Sequence, residues 1–165
     1  MALYIAKYNM DEVGAKMTDP IEVTTDVACR IVGMNPLRLN EHVAAGRFPC
    51  MPGTIRGRYR VFGIDDLLAL WLFRTFLERG FKVKDAGYFA CDVAGKARSN
   101  PDEPAISVVE YVNGAKSVHV AASVPEFSEW DKVMFSGSFI FGVTTYNVKF
   151  LREFISSQVE NEAGK

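Results

Sequence analysis

Val23 to Arg79 reads VTTDVACRIVGMNPLRLNEHVAAGRFPCMPGTIRGRYRVFGIDDLLALWLFRTFLER. Its order is helix, tight turn, helix, glycine-punctuated arginine-rich hairpin, helix. Eight of the ten arginines fall here, six of them before the last helix: Arg30, Arg38, Arg47, Arg56, Arg58 and Arg60. Between Val27 and Phe62 there is no lysine, and Glu41 is the only acid. The local balance is therefore +5, in a chain whose total is -1. A near-neutral protein with one concentrated arginine surface favours a polyanion at that surface. Two helices across a tight turn, followed by a basic wing, make duplex DNA the first candidate.

The first helix is expected to start at Thr24 or Thr25, a hydroxyl cap, with Asp26 facing the positive end of the helix dipole. Val27, Ala28, Ile31 and Val32 recur at helical spacing. Cys29 must be small where a second helix crosses, and Gly33 opens the turn with positive φ. Cys29 reads as a buried residue rather than a reactive thiol. Asn35 can cap the second helix, and Pro36 fits its first turn, where a missing N–H costs nothing. The run ends at Gly46. Leu39 and Val43 should face inward, leaving Leu37, Arg38, Glu41 and His42 toward the outside. In such a pair the second helix enters the major groove, which sets Arg38 against a guanine edge or a flanking phosphate. His42 reads as partly packed or phosphate-contacting rather than catalytic.

Arg47 to Gly63 is too rich in proline and glycine for a helix and reads as a two-stranded loop turning near Arg56-Gly57. The alternation of Tyr59 and Val61 with Arg58, Arg60 and Phe62 lets one face pack and the other present guanidinium groups. Guanidinium forks suit phosphates and narrow minor grooves. A third helix follows Gly63, with Asp65 and Asp66 at its start and apolar residues nearly all round, and stops at Arg79-Gly80. Phe81 to Arg98 is read as a fourth.

This stretch resembles the winged-helix DNA-binding domain of the MerR family of transcription regulators. Cys29, Gly33, Leu39 and Gly46 carry the match through the two helices. Tyr59-Arg60-Val61-Phe62 resembles that family's Tyr-Arg-x-Tyr in the wing. Glu78-Arg79-Gly80-Phe81 resembles its link between the third and fourth helices. The resemblance covers roughly residues 21–95. It implies that Arg38 and its neighbours read the major groove while Arg58, Tyr59 and Arg60 clamp phosphates. The positions matching the family's Arg-x-Tyr are Asn40 and His42, and asparagine can read adenine. The DNA-facing set expected is Thr25, Arg30, Pro36, Arg38, Asn40, Glu41, His42, Arg47, Arg56, Arg58, Tyr59 and Arg60. The family's long dimerisation helix is replaced by the linker Ser99-Asn100-Pro101-Asp102-Glu103-Pro104.

Beyond the linker, Ala105 to Val112 and Ala115 to Val124 are β-branched runs joined by Asn113-Gly114, a strong hairpin pattern. Met134 to Thr144 is read as a third strand, with Phe135, Phe139, Phe141 and Val143 on one face. Tyr146 to Glu160 is read as an amphipathic helix. From Pro101 onward nine acids face five bases, a balance of -4. This part is expected to dimerise, or to sense a small-molecule or protein effector. Glu110, Tyr111, His119, Glu126, Trp130 and Asp131 could line a pocket; their plainer reading is sheet surface and core.

The fold class expected is α+β, a winged helix-turn-helix over 21–98 followed by a small antiparallel sheet with a C-terminal helix over 105–160. Nearly half the residues are hydrophobic and about a quarter charged, as in a folded globular chain. No window reaches the roughly 18 apolar residues that span a bilayer. Residues 1–16 lack the pattern of a secretory leader, so a cytoplasmic location is expected. Cys29, Cys50 and Cys91 are far apart without C-x-x-C spacing, so no disulfide, metal site or cofactor is expected. No histidine or cysteine stands in a recognisable catalytic spacing, and the chain reads as a non-enzyme. The function expected is sequence-specific binding of double-stranded DNA by a homodimeric transcription regulator. The alternatives are an excisionase-like or architectural DNA-binding protein, or an adaptor that does not bind DNA.

Overall fold

A computed structural model describes residues 22–54 and 58–165. The chain is α+β. Strand β1 (Val23–Thr24) runs directly into helix α1 (Thr25–Val32), with Thr24 at the cap through its extended backbone and no side-chain bond. Gly33, at φ 75°, ends α1 and returns its N–H to the carbonyls of Cys29 and Arg30. Three residues separate α1 from helix α2 (Pro36–Ala44). The Asn35 carboxamide oxygen accepts from the N–H groups of Leu37 at 2.8 Å and Arg38 at 3.4 Å, satisfying two donors left open at the helix start.

The segment after α2 differs from the expected wing hairpin. Strand β2 (Val61–Phe62) pairs antiparallel with β1, Val23 opposite Phe62 and Thr24 opposite Val61, and no strand forms among the described residues between Arg47 and Arg60. That segment is drawn onto the helices instead. Phe48 is buried and stacked on Phe73, and Cys50 is joined to Cys91 by a disulfide. The disulfide overturns the expectation of unpaired cysteines. The two residues are 41 apart in sequence, so no local spacing announced them, yet helix packing brings their Cα atoms to 5.5 Å. The alternation along the wing is also reversed. Phe62 is the buried residue, Arg60 is half-buried with it, and Tyr59 and Val61 face outward. The expected turn at Arg56-Gly57, like the reading of residues 1–16, lies outside the described residues.

Helix α3 (Ile64–Glu78) is the pillar of the fold. Leu67, Leu68, Leu70, Phe73 and Phe76 are fully buried on it, because α1, α4 and the C-terminal helix all pack around it. Helix α4 (Val83–Ser99) packs against α3 and buries the small residues Ala86, Ala90, Ala94 and Ala97, while Gly87 faces the Arg47 backbone. Strands β3 (Ile106–Tyr111), β4 (Lys116–Val120) and β5 (Ile140–Tyr146) form an antiparallel sheet in the order β4-β3-β5. The hairpin at Asn113-Gly114 forms as expected, but β4 stops at Val120 in a 3-10 turn. The third strand begins six residues later than expected. Ser136 and Gly137 both take positive φ, folding Phe135 back onto Ser138, so extended pairing starts only at Ile140. Helix α5 (Val148–Ala163) closes the chain.

One hydrophobic core runs from Val23 to Val159 across the boundary expected at 98–105. Ion pairs cross the same boundary. The guanidinium of Arg152 on α5 holds Asp65 of α3 at 2.8 Å, and that of Arg30 on α1 reaches Glu162 of α5 at 3.3 Å. Both partners of the Arg152–Asp65 pair are mostly shielded, so Arg152→Ala is expected to lower stability by roughly 1–3 kcal/mol in urea unfolding. An unchanged midpoint would show the pair to be idle. Among the described residues no helix is long and apolar enough to cross a membrane.

Candidate nucleic-acid interface

Helix α2 is anchored on one side and open on the other. Leu39 is fully buried and Val43 half-buried, while Leu37, Arg38, Asn40 and Glu41 are exposed. This is the division that the i,i+4 pair Leu39 and Val43 dictates. Arg38 is the most projecting cation of the helix, with its side chain 73% exposed. Its guanidinium donates to Glu41 at 2.9 Å. An exposed pair of this kind is held by about 0–1 kcal/mol, so a better acceptor can take Arg38 from it.

His42 turns toward the core rather than the solvent. Its ring meets Phe73 edge-on at 5.3 Å, and its Nδ1 is enclosed with no partner among the described residues. Burial, then the neighbouring positive charge of Arg47, holds its pKa below the ordinary imidazole value, so the ring is neutral near pH 7. Arg47 lies one turn beyond, its N–H bonded to the His42 carbonyl at 2.8 Å and its side chain exposed. The structure thus brings Arg38, His42 and Arg47 into one electrostatic neighbourhood.

A second group forms at the base of α1. Arg60 directly precedes Val61, which pairs with Thr24 just before α1, and Arg58 and Tyr59 ahead of it are exposed, Tyr59 at 88%. The Arg60 Nε atom is enclosed and has no partner among the described residues. Arg60 is therefore a half-packed residue, unlike Arg58. Pro36 is half-buried at the start of α2. Arg30 stands apart from both groups in its bonding: its guanidinium pairs with Glu162 of α5 at 3.3 Å. Arg56 lies outside the described residues. Cys29 is buried, and its thiol is pushed up to about 11 by burial and then by Asp26, so it stays protonated and serves as packing.

Sequence reasoning named Tyr111 and His119 but missed Ser117, which joins them in a polar cluster on the C-terminal sheet. The Ser117 hydroxyl lies 2.6 Å from His119 Nε2, and the Tyr111 hydroxyl lies 2.6 Å from Ser117 and 3.3 Å from His119. The i,i+2 spacing of Ser117 and His119 on a strand was the available sign, since it sets both on one face. Tyr111 occupies the serine, and the ring of Phe135 covers the imidazole at 4.6 Å. This arrangement satisfies part-buried polar groups. Of the other residues expected around a pocket, Glu126 and Trp130 line an open cleft of about 320 Å³ beside β5. Glu110 is on the opposite face, paired with Lys116, and Asp131 is exposed. Among the described residues no cluster of histidine, cysteine and carboxylate ligands could hold a metal ion.

No protein-family profile matches the chain, and no curated protein shows significant similarity to it.

Proposed function

We propose that the protein is a sequence-specific double-stranded DNA-binding transcription regulator of the cytoplasm, built on a MerR-like winged helix-turn-helix. Helix α2 reads bases in the major groove, and Arg58, Tyr59 and Arg60 hold backbone phosphates. The observation that carries the reading is the outward half of α2. A capped helix, fixed by Leu39, offers Leu37, Arg38 and Asn40 to solvent in a neighbourhood whose cations are all arginines. Arginine and asparagine are the side chains that pair bidentately with guanine and adenine edges. The neutral His42 beneath them keeps the helix seated while Arg47 extends the basic field. Binding is the whole mechanism: arginines displace counterions from phosphates, and α2 selects the sequence.

Arg38→Ala is expected to weaken binding to the target by about 1–3 kcal/mol, with little change on unrelated DNA. Arg58→Ala is expected to weaken both and to reduce the salt slope by about 1. Competition titrations with labelled target and unrelated duplexes measure both. Equal affinities for the wild type and both variants would remove the assignment. Binding of a protein partner by the basic face, without DNA binding, would favour an adaptor.

A further inference from the structure

Strand β5 is an edge of the C-terminal sheet, and among the described residues no strand lies beyond it. The direction of its free backbone groups follows from the central strand. Tyr111 gives its N–H to Ala115 on the β4 side at 2.9 Å, and Val112 gives its N–H to Phe139 on the β5 side at 3.1 Å. Successive residues of a strand alternate between its two neighbours. Ser107, Val109 and Tyr111 therefore bond toward β4, and Ile106, Val108 and Glu110 toward β5. Their partners on β5 are Tyr146, Thr144 and Gly142. The N–H and C=O groups of Val143 and Thr145 are left pointing away from the sheet.

Natural edges are blunted by charge, proline or bulges. Strand β5 reads IFGVTTY, with no charge and no proline. Its one irregularity, where Phe141 bulges out between the partners of Glu110 and Tyr111, lies at its start and leaves Gly142 to Tyr146 regular. Phe141 is 71% exposed, and Thr144 and Thr145 are exposed. Among the described residues the edge is open, and an exposed aromatic ring flanks it.

We propose that β5 pairs antiparallel with β5 of a second copy of this chain about a two-fold axis at Thr144, fusing two three-stranded sheets into one. In that register Val143 exchanges both backbone bonds with the partner's Thr145, and Thr145 does the same with the partner's Val143. Thr144 faces its own symmetry mate as a non-hydrogen-bonded pair. A second copy is the occupant for two reasons. The uncharged strand offers nothing to a charged partner segment and is complementary to itself. A two-fold then satisfies the outward backbone groups of Val143 and Thr145 with those of the same two residues in the second copy. This deepens the DNA-binding reading, in which one α2 covers only a half-site and a two-fold dimer supplies the other.

The test uses the protein alone, so its failure leaves DNA binding to its own experiment. Light scattering after size-exclusion chromatography is expected to give about twice the chain mass of 18.4 kDa. Val143→Pro removes an N–H that points away from β3, which edge strands tolerate, and is expected to halve the mass. Thr144→Lys sets like charges opposite each other at the axis and is expected to do the same without touching the core. Thr144→Cys is expected to cross-link into a covalent dimer on oxidation, since the paired Cβ atoms would be about 4.5–5.5 Å apart. The wild type should give no such cross-link, because Cys29 is buried and Cys50 and Cys91 are already joined. A monomeric wild type at micromolar concentration overturns the proposal. So does a dimer that survives Thr144→Lys and leaves Thr144→Cys uncross-linked.

Discussion

Gly87→Ala is expected to destabilise the protein by about 3 kcal/mol or more, while Gly95→Ala on the same helix is expected to stabilise it by roughly 0.5–1 kcal/mol. A Cβ on Gly87 would sit 1.7 Å from the Arg47 carbonyl oxygen and 2.8 Å from its carbon. Both are backbone atoms, so no side-chain rotation relieves the clash. The Arg47 to Cys50 segment would have to lift off α4, uncovering Phe48, which is 2% exposed and stacked on Phe73 at 5.0 Å. At Gly95 a Cβ meets nothing within 4 Å, so alanine only removes the backbone freedom that glycine has in the unfolded chain. Urea unfolding of both variants measures the difference. Similar midpoints for the two would mean that the loop does not rest on α4 as described.

The second large effect concerns the same loop. Reducing the Cys50–Cys91 disulfide is expected to lower stability by about 3–4 kcal/mol, the chain-entropy cost of releasing a loop closed across 41 residues. Thiol titration of the denatured protein should find one free thiol, Cys29, before reduction and three after. Cys50→Ser with Cys91→Ser should match the reduced wild type and be insensitive to reductant. Three free thiols in protein handled without reductant, with no shift in the unfolding midpoint, would contradict the bond. Gly87 and the disulfide act at the two ends of one short segment, and Arg47 is its first residue. The basic field beside α2 is thus held in place by α4. Disulfides are rare where glutathione keeps thiols reduced, so the redox state of this pair decides how firmly Arg47 is fixed in such a compartment.

These two features mark where sequence reading stopped. Signals confined to one turn of chain were legible. Asn35-Pro36 starts α2, Gly33 and Gly80 adopt the left-handed conformation that ends a helix, and Asn113-Gly114 turns a hairpin. Leu39 lies inside and Arg38 outside because their positions on one helix require it. Features made by distant partners were not legible. Cys50 meets Cys91, Arg30 meets Glu162, and Val61–Phe62 pairs with Val23–Thr24 rather than with a neighbour in its own loop. Gly87 lies inside a helix, where glycine has no local use, and its role shows only when the Arg47 carbonyl rests on it. The late start of β5 follows from two consecutive positive-φ residues, Ser136 and Gly137, which the run of phenylalanines around them concealed.

Binding of the purified protein to its own upstream DNA and to unrelated DNA of equal length, by fluorescence anisotropy across a salt series, tests the central claim most directly. The account predicts tight binding to one fragment, a logarithmic salt slope near -0.9 for each phosphate neutralised, and loss of the preference in Arg38→Ala. No binding to either fragment at low salt, or equal binding to both that Arg38→Ala and Arg58→Ala leave unchanged, would contradict it.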